Sequence, residues 1–241
     1  MASNSEVGHA KNVANFETLI NHCTSMGAIY QPAQDPLKLA ALNPQLVVCK
    51  VANSAVKNPL IAKIDAVSLR KKLDDELDSI ITRLLNMYLL TSALKQEKEF
   101  AKTMARKIKG TKNKPPKVEG QDPHSTSQQS FVMRADNFET FISILSAEPT
   151  YNPAEVDLQV PSLQTRLANM HTLNNAANLA IQALRNVRIA RNTALYAVET
   201  GLVDTALSIK GYLLAAFGTK SPHYKDIRGL QFRRLEEDPN A

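Results

Sequence analysis

The chain has 241 residues, 44% of them hydrophobic, which is enough to bury a core without disulfides or metals to staple it. Ala and Leu dominate, Trp is absent and only 5% of residues are aromatic, a composition that favours helices over sheet. The formal net charge is +6, and it is local. Nine basic residues against three glutamates between Lys95 and Glu119 account for all of it, which excludes a basic surface over the whole protein.

Val13, Phe16, Leu19, Ile20, Cys23 and Met26 recur at helical spacing, and Gly27 follows as a stop. Two prolines keep residues 28–36 out of a helix. A second helical region is expected from near Leu42 to about Asp78, with Pro59 breaking or kinking it near Asn58. A third runs from about Ser79 to Ile108 through Ile81, Leu84, Tyr88, Leu94, Ala101 and Met104, and Gly110 ends it. Residues 111–130 are rich in Lys, Pro, Gly, Ser and Gln and read as a linker.

Beyond it a short helix is expected over about Ala135 to Ala147. From Pro161 to Val198 there is neither Gly nor Pro. Leu163, Leu167, Met170, Ala177, Ile181, Leu184, Leu195 and Val198 line one face there as a coiled-coil-like seam. Glu199-Thr200-Gly201 turns the chain into a last helix, Leu202 to Phe217, stopped by Gly218. No run alternates strictly in twos, so little or no sheet is expected.

The two halves repeat one another. Asn15-Phe16-Glu17-Thr18 returns as Asn137-Phe138-Glu139-Thr140, and Tyr30-Gln31-Pro32-Ala33 as Tyr151-Asn152-Pro153-Ala154. Leu37, Leu39 and Leu42 are answered by Leu158, Val160 and Leu163. The expected fold is all-α: a tandem duplication of a three-helix unit (short, long, medium), forming a six-helix antiparallel bundle. The segmentation is 1–110, first repeat; 111–130, basic polar linker; 131–241, second repeat.

The chain resembles a group of uncharacterised bacterial two-repeat helical-bundle proteins. The resemblance spans nearly its whole length. It is carried by Asn15-Phe16-Glu17, Thr82-Arg83-Leu84, Ala105 to Gly110, Ser127 to Ser130, Ser146 to Tyr151, Ala190-Arg191-Asn192, Thr200 to Val203 and Ser221 to Lys225. It implies a helical fold and no assigned activity. Pro59 departs from that group's uninterrupted second helix.

Two sets of residues are candidate sites. Arg106, Lys107, Lys109, Lys112, Lys114 and Lys117 offer cations to phosphates, or else form a self-repelling linker. No aromatics interleave them for base stacking. Arg185, Arg188 and Arg191 stand three apart beside the seam, as an anion pocket or as interhelical ion pairs with Glu199 or with Asp74-Asp75-Glu76. The acidic run Asp74, Asp75, Glu76 and Asp78 lacks the spacing of a calcium loop and reads as a solvated face. The five histidines have no metal-ligand spacing, and His22 and His171 read as interhelical packers. Cys23 and Cys49 read as free buried thiols.

No catalytic motif, cofactor motif, metal set, signal-peptide run or membrane span is legible. The expectation is therefore a cytoplasmic, non-enzymatic helical scaffold or protein-interaction protein, self-associating or holding a protein partner. The alternative is a nucleic-acid-associated protein using residues 106–117.

Overall fold

The computed structural model describes residues 6–110 and 130–234, and these are helical without a strand. The principal helices are α1 (Glu6–Ser25), α2 (Leu39–Ser54), α3 (Lys57–Leu89), α4 (Lys95–Lys109), α5 (Phe131–Ala147), α6 (Val160–Tyr196) and α7 (Leu202–Phe217), followed by a short α8 (Pro222–Arg228). No helix among the described residues is long and apolar enough to cross a membrane.

The chain forms two compact units. One comprises Met1–Ile61 with Gln182–Ala241, the other Ala62–Ile181. Their limits fall inside α3 and α6, so each unit draws on both halves of the sequence. The division into repeats 1–110 and 131–241 is thus a different one from the division into compact units.

In the first unit, α1 buries Phe16, Leu19, Ile20 and Cys23, and α7 buries Leu202, Ala206, Ile209 and Leu213. Leu42 and Cys49 of α2 and Leu195 of α6 complete that core. In the second, Leu77, Ile81, Leu84 and Tyr88 of α3 pack with Met104 and Ile108 of α4 and with Phe138, Phe141 and Leu145 of α5. Leu163 and Met170 of α6 close it. Within each helix these residues recur at steps of three, four or seven, the stripe an amphipathic helix presents to a core.

The long helical regions break at other places than expected. The first break is at Ala55–Val56 rather than at Asn58, and Pro59 sits in the first turn of α3, where its missing N–H costs no helical bond. The proline that lies inside a helix is Pro44, because α2 begins at Leu39 rather than Leu42. The second break, at residues 90–94, divides the expected third region. Thr91 Oγ1 donates to the Tyr88 carbonyl at the end of α3 (2.7 Å). Glu97 accepts the Leu94 N–H at the start of α4 (2.9 Å), half of a capping box. Between them, the Ser92 N–H donates to Thr150 Oγ1 (3.0 Å). That partner is 58 residues away, so local spacing does not reveal the break. The short helix α8 was likewise unexpected.

The same corner occurs in both units. Tyr30 Oη donates to the Leu37 carbonyl (2.7 Å) and Tyr151 Oη to the Leu158 carbonyl (2.8 Å). Each tyrosine closes a loop over a buried proline, Pro32 or Pro153, and a 3-10 turn, Asp35–Leu37 or Val156–Leu158. Phe16 and Phe138, at matching places in α1 and α5, are both fully buried.

The seam of α6 is partly corrected. Leu163, Met170, Ala177, Leu184 and Leu195 are buried and Leu167 is half-buried. Ile181 is 38% exposed, and Val198, 77% exposed, lies past the helix end at Tyr196. The turn there explains why the helix stops: Glu199 takes a positive φ of 65°, and Asp204 accepts its N–H (2.9 Å). Gly201 donates its N–H to the Ala197 carbonyl (2.7 Å), and a Cβ at that position would meet the Ala197 nitrogen at 2.5 Å. Only glycine fits so close an approach.

Candidate functional site

The basic segment is partly helix. Lys95, Lys98, Lys102, Arg106 and Lys109 fall within an arc of about 80° on α4. Arg106 and Lys107 are exposed, with Lys107 outside that arc. Lys109 donates to Thr82 Oγ1 (2.8 Å), Lys98 to the Thr91 carbonyl (2.7 Å), and Lys102 pairs with Glu99 (2.7 Å). Part of this charge therefore braces the second unit. Lys112, Lys114 and Lys117, with the rest of the linker up to residue 129, lie outside the described residues.

Arg185, Arg188 and Arg191 do not converge. A three-residue step turns back about 60° around the helix, so the row winds from an exposed Arg185 through a half-buried Arg188 to a buried Arg191. Arg191 donates to Asn192 Oδ1 from Nε (3.2 Å) and Nη2 (3.0 Å).

The acidic run is engaged in the second unit, but by other arginines than expected. Arg134 on α5, 7% exposed, pairs with Asp74 (3.1 Å) and Asp78 (2.6 Å), and Arg166 on α6 pairs with Glu76 (3.3 Å). Burial lifts the Asp74 carboxyl above its ordinary range, with Arg134 pulling the other way. A buried pair of this kind is costly to break from one side only. The Arg70 guanidinium lies 3.8 Å above the Phe131 ring centre. Beside these groups a cavity of about 10 Å³ between Arg70, Asp74, Phe131, Met170 and Asn174 has room for a water molecule and not for a substrate.

Among the histidines, His171 is exposed rather than packed, because its position on α6 lies off the buried face. His22 is half-buried, 6.0 Å from the ring of His223. Among the described residues no three His, Cys, Asp or Glu side chains are grouped to hold a metal. Cys23 and Cys49 are fully buried and free. Burial pushes both thiols up to about 11, which leaves them protonated and unreactive at neutral pH.

The feature that composition and motif reading missed is the outward face of α2. Ala40, Ala41, Pro44, Val47, Val48 and Val51 lie within an arc of about 120°, all exposed, with Val47, Val48 and Val51 at 59%, 57% and 61%. The opposite face buries Leu42 and Cys49. A helix apolar on both sides is normally enclosed on both sides. The signal was present in the sequence as a 16-residue helix with one charge, Lys50. It was masked because an apolar residue reads the same whether it faces in or out.

The fold itself supplies a control. Leu42, Cys49 and Val56 are buried in the same register as Leu163, Met170 and Ala177. On that register the outward residues of α2 correspond on α6 to Pro161, Ser162, Thr165, Ala168, Asn169 and Thr172. Four of the six are polar, so the helix position does not demand an apolar surface.

The buried polar groups of the first unit were also missed. His9, 3% exposed, meets Tyr196 Oη through Nδ1 (2.7 Å). Asn12, 1% exposed, donates to the same hydroxyl (3.3 Å). Single asparagines on a helix carry no periodic signal, which is why they passed unnoticed. No protein-family model matches this chain, and no curated protein or solved structure is significantly similar to it.

Proposed function

We propose that the protein is a non-enzymatic helical interaction protein that docks a protein partner, or a second copy of itself, on the outward face of α2. One observation carries this: an exposed, nearly uncharged apolar face on α2 whose counterpart on α6 is polar. Clustered exposed apolar surface of this kind marks protein interaction sites.

The same proposal takes the fold as a tandem duplication of a three-helix unit, in the manner of the bacterial two-repeat group. The first long helix is then α2 with α3, and the second is α6. The recurring tyrosine corner and the shared buried register support it. Compact units that each draw on both halves favour two copies wound into one antiparallel six-helix arrangement.

The test is the double substitution Val47→Asp/Val51→Asp, with Thr165→Asp/Thr172→Asp as its control. Sedimentation velocity and photo-crosslinking from position 48 should show association lost in the first variant and kept in the second. Identical behaviour of both variants and the wild type would remove α2 from the function.

The basic face of α4 favours a second reading, binding to nucleic-acid phosphates. Anisotropy with mixed-sequence DNA and RNA should show weak or no binding near physiological salt. Tight binding that falls steeply with salt, and disappears in Lys102→Gln/Arg106→Gln/Lys107→Gln, would replace the first reading.

A further inference from the structure

After α8, residues 230–234 lie along the first unit outside any helix, and the main chain of Arg228, Leu230, Gln231 and Arg233 is held by side chains of α1 and α7. Asn12 on α1 uses both ends of its amide on one residue. Oδ1 accepts the Arg233 N–H (3.1 Å), and Nδ2 donates to the Arg233 carbonyl (2.8 Å). One turn along α1, Asn15 Nδ2 donates to the Gln231 carbonyl (2.8 Å). From α7, Lys210 Nζ donates to the carbonyls of Arg228 (3.0 Å) and Leu230 (2.8 Å). Side chains enter only at alternate positions: Leu230 and Phe232 pack half-buried against the core. At the end, Arg234 pairs with Asp204 of α7.

This is how a groove holds an extended peptide. Main-chain hydrogen bonds give sequence-independent grip, and pockets for every second side chain give selectivity. An Asn amide matches the donor and acceptor of one residue as a strand neighbour would. Asn12 is 1% exposed, so its amide needs partners, and a main chain lying in the groove supplies two of them.

The groove is particular to α1. At the matching place on α5, Asn12 is replaced by Arg134, which is committed to Asp74 and Asp78. Asn15 is matched by Asn137, whose buried Nδ2 has no hydrogen-bond partner. The second unit thus keeps one of the two clamping asparagines without a main chain to hold.

We propose that α1 and α7 form a reading groove for an extended protein segment of the pattern apolar-x-apolar-x-Arg. Residues 230–234 fill it in cis, and a partner's segment of the same pattern takes it in trans when they are displaced. It uses no residue of the α2 face, so the two surfaces stand or fall separately.

The probe is a fluorescent synthetic peptide spanning Asp226 to Arg234. The receptor is the full chain carrying Leu230→Asp/Phe232→Asp, which removes both apolar anchors of the cis segment. This chain should bind the peptide at least ten-fold more tightly than the wild type does, since a tethered segment competes at an effective concentration on the order of millimolar. Adding Asn15→Ala or Asp204→Asn should weaken binding about ten-fold. A peptide with its apolar residues moved to positions 231 and 233 should not bind. Equal binding of the two peptides, or no binding by a displaced chain with a native circular dichroism spectrum, overturns the proposal. So does a wild-type dimer, formed by exchange of tails, that excess peptide leaves intact.

If the displaced chain does not fold, a charge reversal decides. In Asp204→Lys, a peptide carrying Arg234→Glu should bind at least ten-fold more tightly than the native-sequence peptide. Equal binding of the two overturns the groove.

Discussion

The helix α2 and the first half of α6 bury the same register and show opposite outer faces. Inward, Leu42 and Cys49 match Leu163 and Met170, and Val56, just past the end of α2, matches Ala177. Outward, Val47, Val48 and Val51 stand where α6 has Ala168, Asn169 and Thr172. The inner face is dictated by packing, which tolerates few alternatives at a buried position. The outer face is free of that constraint, so its chemistry reports on what the helix meets. The difference between the two is the observation on which the proposed role of α2 rests.

The sharpest way to break this comparison is to cut both inner faces. Leu42→Ala and Leu163→Ala should each cost about 2–5 kcal/mol in denaturant unfolding. A silent substitution at either would end the shared register. Next, Tyr30→Phe and Tyr151→Phe each strand a buried carbonyl, of Leu37 or Leu158, and should cost about 1–3 kcal/mol apiece. A loss at one corner alone would mean that the two are alike in geometry but not in role.

The two thiols sharpen the comparison, because Cys23 of α1 and Cys49 of α2 stand where α5 and α6 have Leu145 and Met170. Each is raised from 9.0 to about 11 by burial. The unfolded chain therefore releases these protons first as pH rises. Their contribution should be intact below pH 9 and lost progressively between pH 9 and about 11. Cys49→Met, which copies α6, should reduce that alkaline loss. An unchanged profile by pH-dependent urea unfolding would mean that the thiol is not shielded.

Smaller effects test the outer faces. Ile181→Ala, on the part of the α6 seam that emerges to solvent, should cost under about 1 kcal/mol, whereas Leu184→Ala, one turn on and buried, costs about 2–5 kcal/mol. Smallest of all, Val47→Asp/Val51→Asp should change stability by no more than about 0.5 kcal/mol per site while abolishing association. A large loss of stability would place that face in the fold after all.

The helical class, the limits of α7 and the matched tyrosine corners were legible in the sequence, because helical period and Gly or Pro punctuation are local signals. The sequence alone also indicated that Leu163, Met170, Ala177 and Leu184 face inward. Tertiary structure alone decided the rest. It decided where α3 ends, because Ser92 bonds to Thr150 far along the chain. It decided that Ile181 faces solvent although it continues the seam, since a period shows which residues share a face but not how far a partner covers it. It decided that Asp74 and Asp78 serve Arg134, and that Asn12 grips the main chain of Arg233. Such polar pairings depend on a few ångströms between distant segments, and no periodicity in a single chain records that distance.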